Sequence, residues 1–145
     1  MRISELEDSD IESVIALWER CNLLRAGNDP RADIERARRA RDAAVLVGWK
    51  EGAVVATAMV GFDGHRGWVY YLAVEPRLQR RGLGRAMLAA AETWLRARGA
   101  PKLLLTLGEE NASASGFYEA LGFVPSPVRI LGKRLDQDDR PGRPV

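Results

Sequence analysis

Along the chain, apolar residues recur with two periods, one helical and one of extended strand, and the switches between them mark the elements. Arg2 to Leu6 has the composition of a short first strand, and Ser9-Asp10-Ile11-Glu12 has the spacing of a capping box that opens a helix. Ile11, Val14, Ile15 and Trp18 then share one helical face. The polar interval Asn22 to Asp29 ends that helix. Asp29-Pro30 supplies an N-cap and a first-turn proline for a second, more polar helix to about Arg41.

Two strand-like runs follow, Ala44 to Trp49 and Val54 to Phe62, joined by Lys50-Glu51-Gly52-Ala53, and a turn at Asp63 to Gly67 leads into a third, Trp68 to Val74. These three runs predict an antiparallel meander. The next segment places Leu83, Met87, Ala91 and Trp94 on one helical stripe with Leu88 and Leu95 beside it, and Gly99 and Pro101 close it. Lys102 to Leu107 reads as a fifth strand, parallel to Trp68–Val74 because a helix connects them. Asn111 to Leu121 reads as a short helix stopped by Gly122, and Val128 to Leu131 as a last strand. The order is β-α-α-β-β-β-α-β-α-β, an α/β arrangement of the α+β type. From Asp136 the segment DQDDRPGRPV is charged, proline-containing and poor in aliphatic residues, so residues 136–145 are expected to form a disordered tail behind one domain at 1–135.

Composition narrows this picture. A chain of 145 residues is large enough to bury a core without metal or disulfide support. No apolar run is long enough to span a bilayer, and the charged start MRISELEDSD lacks the apolar stretch of a secretory signal, which implies a cytoplasmic location and no membrane partner. Cys21 has no second cysteine to pair with, and one Cys with one His makes no metal cluster. A net charge of +2 gives no sign of a nucleic-acid partner. Arg31, Arg36, Arg38, Arg39 and Arg41 alternate with Asp29, Asp33, Glu35 and Asp42, as on a solvated helix face. Four Trp in so short a chain leave both a monomer and a homodimer open.

Candidate chemistry concentrates where the third meander strand meets the long helix. Glu75-Pro76 is followed by Gln79-Arg80-Arg81-Gly82-Leu83-Gly84 and then by helix-forming residues. Glycines there allow close backbone approach, and the first-turn N–H groups of a helix converge without intrahelical acceptors, which suits an anion. A tight strand-to-helix connection with no ligand is the alternative. A Walker loop is excluded, since Gly84 is followed by Arg85-Ala86, and a dinucleotide fingerprint is excluded by Met87 where a third small residue belongs.

The pattern Gln-x-x-Gly-x-Gly resembles the pyrophosphate loop of the GCN5-related N-acetyltransferases, the GNAT family. The segment from Asn111 through Tyr118 to Gly122-Phe123 resembles that family's Asn-x-x-A-x-x-x-Tyr-x-x-x-Gly-Phe motif. The likeness spans about residues 1 to 134. LWERCNLLR, NDP, DGHRG and YYLAV add a narrower likeness to a small bacterial, YpeA-like subgroup.

The resemblance implies a mixed, mostly antiparallel sheet flanked by helices, with acetyl-CoA as co-substrate. It implies that Leu72, Ala73 and Val74 diverge from the parallel strand and offer their main chain to pantetheine, while Gln79, Arg80, Arg81, Gly82, Leu83, Gly84 and Arg85 surround the diphosphate. Asn111 would hydrogen-bond the cofactor or hold the strands apart, or else simply cap a helix. Tyr118 would protonate the departing thiolate, or else pack in the core. The implied reaction is direct acetyl transfer to a primary amine, on a protein lysine, an N-terminus or a small molecule. A non-catalytic acetyl-CoA sensor or interaction module on the same fold is the rival.

The family's usual base is missing. Trp68 and Tyr70 stand where many relatives carry Glu or His, which leaves Asp63, His65, Glu109 or water to accept the proton. Acceptor specificity is expected from Trp18 to Pro30 and the Arg129 region.

Overall fold

In the computed structural model, which describes residues 1–136, β1 (Arg2–Glu5) pairs antiparallel with β2 (Ala43–Lys50), β2 with β3 (Ala53–Phe62) and β3 with β4 (Gly67–Val74). A fifth strand, β5 (Leu103–Leu104), adds to β4 in parallel. Spatial order follows chain order, β1-β2-β3-β4-β5. Helices α1 (Ile11–Arg20) and α2 (Pro30–Arg39) precede β2, α3 (Leu83–Arg96) makes the β4-to-β5 crossover, and α4 (Ser115–Ala120) follows β5. No described helix is long and apolar enough to cross a membrane.

Alternation along the strands divides the core between two faces. On one, Val45, Val47 and Ala73 meet Val14, Leu17 and Ile34 of α1 and α2. On the other, α3 buries Met87, Leu88, Ala91 and Leu95 against β3 and β4. Gly67 opens β4 because α3 lies so close there: a Cβ at this position would stand 2.6 Å from Leu95 Cδ1.

The chain falls into two compact units, Met1–Leu24 with Asn28–Thr106, and Arg25–Gly27 with the residues from Leu107 onward. The sheet and α1 to α3 belong to the first. In the second, a 3-10 turn over Glu109–Ala114 runs into α4, and Phe117, Tyr118 and Phe123 form edge-to-face ring pairs with centroids 5.0 and 5.6 Å apart.

Several boundaries differ from the sequence expectation. The reciprocal cap before α1 lies two residues early: Glu7 N–H donates to Asp10 Oδ2 at 2.8 Å, so a 3-10 turn over Asp8–Asp10, not a Ser9 box, starts the helix. On α3, Trp94 is only partly buried, with the Arg98 guanidinium 3.4 Å above its ring, and the buried stripe centres on Met87 and Ala91. Predicted strand Lys102–Leu107 keeps two residues, because its ladder with β4 stops after Trp68↔Leu104. Asn111 has φ −104° and ψ 25°, which breaks the expected single helix into a turn and α4. Val128 to Leu131 is not a strand: the segment has β-forming residues but no ladder, and Val128, Ile130 and Leu131 are exposed. Of the expected tail, residues 137–145 lie outside the described residues.

Candidate active site

The local sequence shapes the β4-to-α3 connection as an anion cradle. Pro76–Leu78 forms one 3-10 turn, Arg80 and Gly82 take positive φ of 64° and 83°, and Gly82 becomes the left-handed N-cap of α3. The first amide to bond back is that of Ala86, which donates to Gly82 O at 3.1 Å. The N–H groups of Leu83, Gly84 and Arg85 precede it and have no intrahelical acceptor. Gln79, Arg80, Arg81, Gly82 and Arg85 are exposed, and no heavy atom lies within 4 Å of a Cβ built on Gly82. These features fit a diphosphate: amides converge at the positive end of a 14-residue helix, with arginines around them and open space in front.

The strand leading into the cradle is open on one edge. Only Gly67 and Trp68 pair with β5, so from Val69 to Val74 that edge of β4 has no strand beside it among the described residues. This is the divergence expected at Leu72-Ala73-Val74, and a chain of amides could lie along it as an added strand. The last carbonyl is partly engaged: Val74 O accepts from Gln79 Nε2 at 3.2 Å and from Cys21 Sγ at 3.3 Å. Gln79 therefore ties the loop to the strand. Burial pushes the Cys21 thiol up, so it is a neutral donor at pH 7. Just beyond, buried Glu75 is held by Arg20 through Nε at 3.0 Å and Nη2 at 2.7 Å.

A bulge lies within this open stretch. Opposite Ala58 of β3 stand two residues of β4, Tyr71 and Leu72, and Tyr71 takes φ 51°. Three residues hold it there. Its ring stacks on Trp18 at 3.7 Å with an interplanar angle of 9°, and its hydroxyl donates to Asp33 Oδ2 at 2.7 Å. Its carbonyl accepts from Thr57 Oγ1 at 2.8 Å, and Thr57 Oγ1 accepts from Trp18 Nε1 at 2.8 Å. Trp18 and Thr57 are fully buried. Burial, and then the Asp33 hydrogen bond, push the Tyr71 phenol well above its ordinary range.

Nothing in the sequence marked Tyr71, Thr57 or Asp33 as a group. The one available signal was Thr57 itself, a lone hydroxyl in the apolar run AVVATAMV. The polar-helix reading was right for most of α2, where Arg31 pairs with Glu12 and Arg38 with Asp8, and wrong for Asp33, which faces Tyr71. Trp18 does not line an acceptor pocket, since it is buried against Tyr71, and Leu23 and Leu24 pack on the core. An open depression of about 590 Å³ lies instead between α2 and the sheet, with Asn28, Asp33, Arg36, Met59, Tyr70 and Tyr71 among its walls.

The candidate bases have different settings. Asp63 is structural: its Oδ1 accepts from Arg66 N at 2.7 Å and His65 N at 2.8 Å, and its Oδ2 from Trp68 Nε1 at 3.3 Å. Those backbone bonds hold its carboxyl below the usual range, which makes it a weaker base. Asp63 and exposed His65 lie before β4, at the end of the strand opposite the cradle. Glu109, Asn111 and Tyr118 belong to the second unit, where Glu109 and Asn111 are exposed. Tyr118 is partly buried, and that burial raises its phenol, leaving a neutral O–H donor at pH 7. None of the four Trp is exposed.

Comparison with known proteins gives consistent matches. Residues 11–123 match the model of the acetyltransferase (GNAT) family. The ribosomal-protein-S18-alanine N-acetyltransferase from Escherichia coli superposes with a TM-score of 0.71 at 27% identity, covering 86% of this chain and 78% of that one. Glucosamine-6-phosphate N-acetyltransferase from Arabidopsis thaliana gives 0.73 at 22% identity, covering 93% and 98%. The aminoglycoside N-acetyltransferase AAC(6')-Iy, solved with CoA, gives 0.74 at 19%, covering 92% and 100%.

Proposed function

Because the chain belongs to the acetyltransferase (GNAT) family, we propose that it transfers the acetyl group of acetyl-CoA directly to a primary amine, with residues 1–135 acting as one catalytic domain in the cytoplasm. The observation that carries this reading is the junction of the open β4 edge with the Gly82 cradle. One runs into the other, which supports a pantetheine arm along the strand and a diphosphate at the helix start. In this reading the amides of Leu83, Gly84 and Arg85 bind the diphosphate, Arg80 and Arg81 add screened attraction, and Leu72 to Val74 present main chain to the pantetheine. A N–C bond forms as the amine attacks the thioester carbonyl, and the C–S bond breaks as CoA leaves as a thiol. Tyr118 supplies the thiol proton, and the amine proton passes to water. Asn111 serves in the second unit as a polar contact for the cofactor.

The acceptor is a primary amine. The S18-alanine enzyme supports a protein N-terminus, and the aminoglycoside and glucosamine-6-phosphate enzymes support a small molecule. Within the family we assign the chain to the YpeA-like subgroup on the segments LWERCNLLR and DGHRG.

The test pairs calorimetric binding of acetyl-CoA with turnover against a panel of alkylamines, amino sugars and peptides with free N-termini. Binding with turnover is expected. Binding without turnover on any member would instead favour a non-catalytic acetyl-CoA sensor. On an amine that turns over, Tyr118→Phe keeps the ring packing and removes the donor, and it is expected to lower kcat about 10²-fold with acetyl-CoA affinity unchanged. Full activity would return Tyr118 to a packing role.

A further inference from the structure

We propose that the depression between α2 and β4 is the acceptor site, and that Asp33 is its specificity-determining residue, receiving a primary ammonium carried on an unbranched apolar stem. The proposal rests on the acetyl-transfer reading and adds the class of amine.

The floor of the depression is built from small side chains and a methionine. Ala37 of α2 and Ala40 just after it line the depression with Ala43, Met59 and Gly61 of the sheet, and its volume is about 590 Å³. That lies within the range of roughly 300–1,000 Å³ usual for small-ligand sites. The apolar side chains of this lining suit methylene groups. Among its polar groups, Asp33 joins Arg36 of α2 to Tyr71 of the bulge.

Asp33 is the carboxylate of the depression. Its side chain keeps 23% exposure, while Oδ2 accepts from Tyr71 and Oδ1 from Arg36 Nη2 at 2.5 Å. A carboxylate has about four acceptor positions, so two remain for a donor from the depression. An ammonium brings three N–H groups to meet them. The Tyr71 bond ties the carboxylate to the bulge, within the stretch of β4 that has no strand on its outer edge. A stem lying in the depression with its nitrogen at Asp33 therefore ends against the bulged part of β4. Arg36 competes with the ammonium, but its side chain is 60% exposed, and an exposed ion pair of this kind is weak and exchangeable. Tyr70, 47% exposed, also lines the depression.

Lysine side chains and free alkyl diamines share this chemistry. Two probes separate the sources: 1,5-diaminopentane, and a peptide carrying one internal lysine with a blocked N-terminus. Binding is followed by amide NMR shifts in the protein without acetyl-CoA, so the result stands whether or not acetyl transfer is later found. Saturable shifts are expected at Asp33, Arg36 and Tyr71. Saturation by the diamine alone assigns a small-molecule acceptor, and tighter saturation by the peptide assigns a protein lysine. Asp33→Asn keeps the shape and an acceptor for the Tyr71 hydroxyl but loses the charge, and it is expected to weaken the better probe at least about ten-fold. Arg36→Gln removes the competitor and is expected to tighten it several-fold. Tyr71→Phe removes one of the two bonds to the carboxylate and keeps the Arg36 bond, and it is expected to change affinity less than about three-fold. The proposal is overturned if neither probe shifts these amides, if succinate shifts them instead, or if Tyr71→Phe weakens binding as much as Asp33→Asn. That last result would mean Asp33 acts only by holding Tyr71. Melting temperatures confirm that each variant is folded.

Discussion

Gly82 and Tyr71 both hold left-handed backbone, with φ of 83° and 51°, but opposite means keep them there. At Gly82 the residue itself is permissive, and nothing lies within 4 Å of where a Cβ would stand. At Tyr71 an aromatic residue occupies a conformation that costs an L-residue about 1–2 kcal/mol. It stays because Trp18 stacks on its ring, Asp33 takes its hydroxyl and Thr57 takes its carbonyl. The cradle is thus a local device written in consecutive residues, and the bulge is a tertiary one assembled from α1, α2 and β3. The first can fail without disturbing the fold. The second cannot.

Thr57→Val tests the tertiary side most severely. The substitution preserves shape and removes one hydroxyl that both donates to Tyr71 O and accepts from Trp18 Nε1 in a fully buried setting. Each orphaned buried group costs about 1–3 kcal/mol, so the loss in a urea denaturation series is expected to exceed that of an ordinary surface change several-fold. Acetyl-CoA affinity should fall along with stability, because the bulge lies in the open stretch of β4 proposed to carry pantetheine. A variant as stable as wild type would mean that packing alone holds Tyr71.

Gly82→Val is the matching test of the local side, with the two readouts expected to separate. Affinity for acetyl-CoA is expected to drop at least ten-fold, roughly 1.4 kcal/mol, as a branched side chain at positive φ moves the amides of Leu83 to Arg85 out of register. The sheet and core should remain, since Gly82 is exposed and touches neither. Calorimetry that finds unchanged affinity in the folded variant would remove the amides from diphosphate binding.

The same contrast explains what could be read from the sequence. The meander, the α3 crossover and the Gln79–Gly84 loop each depend on neighbours within a few residues, through strand alternation, helical period and glycine placement. They appear in the fold close to where the pattern puts them. The bulge depends on residues 14, 38 and 53 positions from Tyr71, and no local pattern announces a tyrosine at positive φ. Asp33 was hidden for a related reason: among so many alternating charges on α2, only the fold distinguishes the one that turns toward β4. Val128 to Leu131 failed in the other direction, since strand-forming residues without a ladder do not make a strand. The sequence left Asp63, His65, Glu109 and water open as bases, and the three hydrogen bonds that tie Asp63 to its turn could not be read from it.

Asp63 gives the smallest expected effect and sharpens the comparison from the far end of β4. It is a local device like Gly82, with its carboxylate organising the turn by accepting from Arg66 and His65 amides. Its folded-state pKa is lowered by those bonds, so its contribution to stability is fully present above the unfolded value of about 3.9 and is lost as pH falls through the folded value. Asp63→Asn should therefore differ slightly from wild type in denaturation midpoint near pH 6, and the gap should close as the solution is acidified below the ordinary carboxylate range. At neutral pH the variant is expected to keep its turnover within about ten-fold on any amine that is a substrate, because positioning supplies most of the acceleration and water can carry the proton. Asp63 is committed to the turn by three hydrogen bonds. A loss near 10²-fold, comparable to Tyr118→Phe, would make Asp63 the base and would require the acceptor to reach the β3–β4 turn. In that case the site would extend along β4 well beyond the bulge.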